Sequence, residues 1–229
     1  MTTLTTEQIQ ALHSFVRKHY VEYYDIEVEL VDHLANGIES QWAEDNTVDF
    51  EIALDREFKK FGVYGFSDVV NHKEKSLYNH YTTLIFKEVL HFLHWPKIIL
   101  TAGLYYVLYL MIDYLSLSFD RRDVVSTIML VSILLSLIYL IIEVIKVKRL
   151  NKLSSKKWLM DRARLSILSL PITGFYVFYY LISFISKYSI ILATASILTT
   201  ILWLYITHFV ISPQLKIEKE SIKSKLLTI

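Results

Sequence analysis

The sequence predicts an all-α protein, a small cytoplasmic helical prefix domain followed by a four-helix transmembrane bundle. Three observations predict it. Four apolar stretches, 98–119, 124–147, 165–185 and 188–211, each approach the ~20 residues an α-helix needs to cross a hydrocarbon core. Before them, apolar side chains recur at three- and four-residue spacing among charges, the pattern of amphipathic helices around a small core. The two parts also carry opposite charge. Residues 1–96 hold 16 Asp/Glu and 8 Lys/Arg and residues 97–229 hold 7 and 16, so a net charge of +1 conceals an acidic half and a basic half. The expected boundaries are a prefix domain at 1–80, an interfacial amphipathic helix at 81–96, the four spans within 97–212 and a cytoplasmic tail at 213–229.

Thr5-Thr6-Glu7-Gln8 reads as a capping box, and it opens a first helix with Ile9, Leu12, Phe15 and Val16 on one stripe and an end near His19. A second helix is expected from about Asp25 to Glu44, carrying Ile26, Leu30, His33, Leu34, Ile38 and Trp42 on one face. Gly37 interrupts that helix at a cost of about 1 kcal/mol, which predicts a close helix crossing there. Asn46 or Thr47 is expected to cap a third helix, whose Phe50, Ala53, Leu54, Phe58 and Phe61 form a stripe ending at Gly62. Ser67 is expected to cap a fourth. A core of this size lies near the lower limit of independent stability, so the prefix is expected to need docking on the membrane part or on a partner.

The pattern Glu29-Leu30, His33-Leu34, Ile38-Glu39, followed by Ala53-Leu54, Phe58 and Phe61-Gly62, resembles the HAAS-type and permease-prefix domains that precede many bacterial membrane proteins. The stretch from Tyr24 to Glu39 also resembles uncharacterised membrane proteins of the Bacteroidetes. The resemblance covers about the first third of the chain, and Val63-Tyr64-Gly65-Phe66 departs from the usual helix start after the Phe-Gly pair. It implies a regulatory or docking module on a membrane carrier, and it brings no catalytic residues with it.

Residues 81–95 are apolar and aromatic but too short to span, which predicts an interfacial helix ending at Trp95-Pro96. Between the second and third spans stand Lys146, Lys148, Arg149, Lys152, Lys156, Lys157, Arg162 and Arg164, with Asp161 the lone acid. The positive-inside rule places that loop in the cytoplasm, and four crossings then put both termini there too. The expected location is the inner cell membrane, with short external turns at 120–123 and 186–187. Met1 to Gln10 lacks a basic flank before an apolar run, which predicts no cleaved signal peptide. No cysteine is present, so disulfides and thiolate metal sites are excluded.

Within the spans, Asp113, Glu143 and His208 are the functional candidates, because ionisable groups are expensive in hydrocarbon. By helix rise Asp113 belongs to the outer third of its span, whereas Glu143 and His208 lie near the cytoplasmic interface, where they could pair. Tyrosines in the first span (Tyr105, Tyr106, Tyr109, Tyr114) and third (Tyr176, Tyr179, Tyr180) predict helix contacts, as do Ser132 and Ser136 and the small residues of the fourth. Pro171 and Gly174 should kink the third span. In the prefix, Asp25, Glu29, Asp32 and His33 form a surface on which a divalent metal is conceivable, but a solvated edge is the expected arrangement. With no nucleotide-binding, nucleophile or zinc-protease motif, neither catalytic residues nor cofactors nor a metal site are expected.

The expected partners are the lipid bilayer and a cytoplasmic protein bound through residues 1–80, with a second copy of the chain as a further option and no nucleic acid. A small transporter or permease-like subunit is the alternative function, and a lipid-acting enzyme using Glu143 and His208 a weaker one.

Overall fold

The computed structural model describes residues 3–227, except the side chains of Tyr176 and Leu227; the tyrosine singled out at position 176 therefore lies outside the described set. Among the described residues the regular elements are all helices, joined by short turns, with one isolated parallel bridge between Tyr23 and Lys157. In order the elements are α1 (Thr6–Lys18), α2 (Tyr24–Glu44), α3 (Phe50–Lys59), α4 (Phe66–His91), α5 (Lys97–Leu115), α6 (Arg121–Ser154), α7 (Leu159–Tyr188) and α8 (Ile190–Tyr205). A π-helical segment, Ile206–Ile211, then leads without a break into α9 (Ser212–Leu227).

Two compact units result. The first joins residues 1–77 to residues 151–163 and 218–229, and the second comprises residues 78–150 and 164–217. In the first unit the expected capping box is present: the Thr5 hydroxyl accepts from the Gln8 N–H at 3.2 Å, while the Gln8 side chain accepts from the Thr5 N–H at 2.8 Å. Leu12, Val16, Ile26, Leu30, Leu34, Ile38, Ala53 and Phe66 form its buried core, together with Leu159 from the start of α7. Gly37 has the expected cause, since a Cβ there would run into the buried Glu57 carboxylate on α3. That carboxylate also accepts from Gln41 Nε2 and Lys60 Nζ, both at 2.6 Å, and so locks the α2–α3 crossing.

Two local expectations are corrected. Neither Asn46 nor Thr47 caps α3: the Asp45 carboxylate holds the N–H and hydroxyl of Thr47 in a turn, and Asp49 caps instead, accepting from the Glu51 N–H at 3.1 Å. The helix expected separately over 81–96 is instead the second half of α4, which runs on from Phe66 because no Gly or Pro intervenes, and it ends at His91, short of the expected Trp95-Pro96. Tyr81 and Ile85 on that half are buried, at 2% and 4% exposure, so it packs within the second unit.

Three helical runs are long and apolar enough to cross a membrane: α5, α6 and the continuous run Ile190–Leu226. A fourth is added when Leu159–Phe175 and Val177–Tyr188, bent by 41° just beyond Pro171 and Gly174, count as one span. Ile112, Val125, Met129, Ile182, Ala193 and Ile197 form the core between these helices. Outward, α6 exposes Leu134, Leu135, Ile138 and Ile145, an apolar exterior suited to lipid. At 1.5 Å per residue the 34 residues of α6 extend for about 51 Å, well beyond a ~30 Å hydrocarbon core.

Candidate functional site

A polar column runs through the second unit. Ser136, Tyr139 and Glu143 recur at intervals of three and four along one face of α6, and His208, Ser212 and Lys216 recur every four residues along the helix that meets it. Ser136, Glu143, His208 and Ser212 are buried, each at 5% exposure or less. Ser136 Oγ and His208 Nε2 share a hydrogen bond of 2.8 Å. The neighbouring Tyr139 ring lies 4.6 Å from the His208 ring.

Pro213 shapes this part of the column. In the π segment the Ser212 N–H donates to the Thr207 carbonyl, so the next carbonyl, that of His208, looks to residue 213 for a donor. Residue 213 is proline and has none. The Tyr139 hydroxyl supplies it, donating to the His208 carbonyl at 3.3 Å. A buried backbone acceptor is thereby satisfied from a neighbouring helix, which also fixes His208 opposite Ser136.

At the other end of the column Glu143 gathers three cations. Its Oε2 lies 2.9 Å from Arg164 Nη1, and its Oε1 accepts from Lys146 Nζ at 3.3 Å and Lys216 Nζ at 3.2 Å. The Glu143 and Arg164 side chains are 3% and 5% exposed, whereas those of Lys146 and Lys216 are 60% and 46% exposed. One negative charge therefore faces three positive ones. Several buried polar atoms along the column have no hydrogen-bond partner among the described residues: Arg164 Nε, Thr207 Oγ1, His208 Nδ1 and Ser212 Oγ.

The candidates from sequence divide accordingly. Glu143 and His208 are both buried in the column but engage different partners, Arg164 with the two lysines and Ser136 respectively, and do not pair with each other. Asp113 stands apart, exposed in the last turn of α5, because that helix stops at Leu115 rather than continuing to residue 119. Tyr105 makes a helix contact of the expected kind, its hydroxyl donating to the Ile191 carbonyl at 3.2 Å. Arg164, Tyr139 and Ser212 were not singled out from sequence as site residues. The interruption of an apolar span by Ser136, Tyr139 and Glu143 on one face was the signal for them.

The prefix candidates point to separate partners. Asp25 Oδ1 accepts from the Leu159 N–H at 3.1 Å, and burial pushes its carboxyl pKa up. Glu29 pairs with Lys73 at 3.0 Å, Asp32 accepts from Asn36 at 3.3 Å, and the His33 ring meets Phe61 edge-on at 5.4 Å. Among the described residues no group of three or more His, Asp or Glu side chains is placed to hold a metal ion.

What does converge on the prefix is the basic loop. The Tyr24 N–H donates to the Lys157 carbonyl at 2.8 Å, and Lys157 Nζ lies 2.7 Å from Glu22, a pair that lowers the Glu22 pKa and raises that of Lys157. Arg162 donates to the Tyr23 hydroxyl at 2.7 Å and pairs with Glu74 at 2.9 Å. Lys156 stands 3.5 Å over the Tyr24 ring, and the Trp158 ring meets Tyr24 edge-on at 5.6 Å. From the tail, Lys219 pairs with Asp161 at 2.7 Å. A groove of about 580 Å³ lies between the loop residues Ser154–Lys157 and Arg17, Val21, Glu22, Tyr24 and Glu27.

No family model matches the chain, and no curated protein or solved structure matches it either.

Proposed function

We propose that this is an inner-membrane protein whose cytoplasmic helical module serves as a regulatory or docking domain carried by the membrane spans. The observation that supports this most is the composition of the first unit, which unites residues 1–77 with residues 151–163 and 218–229. Segments folded into one unit must share a side of the membrane, so the prefix, the basic loop and the tail lie together. The lysine and arginine excess of residues 146–164 favours the cytoplasm as that side. A HAAS-type reading of residues 29–62 would imply the same docking role.

The docking surface on this reading is the end of the module where Tyr20, Val63 and Tyr64 emerge. They are 91%, 98% and 73% exposed in the α1–α2 and α3–α4 turns, beside a packed cluster of His19, Phe58 and Phe66. Large apolar side chains held outward at adjoining loop tips offer a protein partner the anchors that dominate interface energies. The chain has no cysteine, so single-cysteine variants test both statements in intact cells. Thr3→Cys, Lys152→Cys and Val63→Cys are expected to react with a membrane-impermeant maleimide only after permeabilisation, and Ser118→Cys before it. A photo-crosslinker on Val63→Cys should then yield one discrete protein adduct that Tyr64→Ala weakens. Labelling of Thr3→Cys from outside refutes the orientation, and crosslinking to lipid alone refutes the docking role.

A further inference from the structure

We propose that the basic cluster around Glu143 binds the phosphodiester group of an anionic glycerophospholipid. Lys146 and Lys216 both direct their ammonium groups to the same carboxylate oxygen, at 3.3 and 3.2 Å, while Arg164 occupies the other oxygen at 2.9 Å. A single carboxylate compensates one of these three charges. Like charges held this close in a partly buried site repel one another strongly, and a second anion relieves the repulsion. The lysine side chains are 60% and 46% exposed, so their remaining N–H donors face outward from the buried carboxylate. Glu143 thus spaces two cationic donors for a tetrahedral oxyanion, and Arg164, 5% exposed and with Nε unpartnered, adds its field from behind.

The depth fits a headgroup. From Val124 to Lys146 is 22 residues of α6, about 33 Å of helix at 1.5 Å per residue, which matches a hydrocarbon core of ~30 Å. The cluster therefore stands where lipid phosphates lie, and Lys148, Arg149 and Lys152 continue the positive field along α6 with no acidic residue among them. This rests on the membrane-spanning reading above but not on the docking role. Free phosphate shares the recognised chemistry, and the experiment separates the two sources.

The full-length chain is placed in phosphatidylcholine nanodiscs with or without phosphatidylglycerol, and retained lipid is measured by native mass spectrometry alongside thermal unfolding. Phosphatidylglycerol is expected to be retained roughly tenfold or more over phosphatidylcholine and to raise the unfolding temperature. Both effects should disappear in a Lys146→Gln/Lys216→Gln variant whose circular dichroism is unchanged. Enrichment that survives the double substitution reflects the general basic surface and overturns the site. An equal rise produced by inorganic phosphate in phosphatidylcholine discs assigns the cluster to free phosphate and overturns the lipid. A chain that does not enter discs at all refutes the membrane-spanning reading beneath the proposal.

Discussion

The Glu143 side chain is 3% exposed, so the partners that replace water around its carboxylate are Arg164 and the two lysines. Removing one partner of a buried pair costs more than forming the pair gains, because the other charge is left behind. Glu143→Gln is accordingly expected to lower stability by about 3–5 kcal/mol, read as thermal or denaturant unfolding in detergent. Glu143→Gln/Arg164→Gln should recover much of the loss, and strict additivity would refute the coupling. The sequence marks Glu143 and His208 as unusual through polarity in an apolar setting. Their partners were illegible because Arg164, 21 residues further along the chain, reads as one more loop charge until the helices are placed.

Among the elements, the final helix continues through a proline. Pro213 lacks the N–H that an α-helix would use at that point. The chain instead widens to a π turn over Ile206–Ile211 and continues, with Tyr139 serving the acceptor left unpaired. Pro213→Ala restores the missing donor and should let this segment tighten to an α-helix. A one-residue change in register turns the preceding face by about 100°, which takes His208 away from Ser136. A short thiol-specific crosslinker such as dibromobimane should join Ser136→Cys to His208→Cys, in a chain otherwise free of cysteine, and fail to join them with Pro213→Ala. Local chemistry was more readable elsewhere: Thr5 and Gln8 cap α1 as their spacing predicts, and Gly37 marks a close crossing. The expected break at residue 81 is absent because a change from polar to apolar composition does not end a helix when no residue breaks it.

For the molecule as a whole, the prefix is not complete at residue 80. Its core includes Leu159, at 0% exposure, and its acidic surface is neutralised in part by Lys157 and Arg162. The small size of the prefix made some form of docking predictable, but no local pattern identified Leu159 as core, since it stands beside a basic loop and before an apolar span. Leu159→Ala should destabilise the first unit by about 2–5 kcal/mol, seen as faster amide exchange in α1 and α2 of the full-length protein. Unchanged exchange there would show that the prefix folds without the loop. The shared core also sets an order of events during synthesis. The first 77 residues leave the ribosome long before Leu159 exists, and on the proposed topology Leu159 would reach them only after α5 and α6 had crossed the bilayer and back. Were that hairpin threaded the other way, Leu159 would be held across the bilayer from residues 1–77, and their core would lack the side chain that the start of α7 contributes.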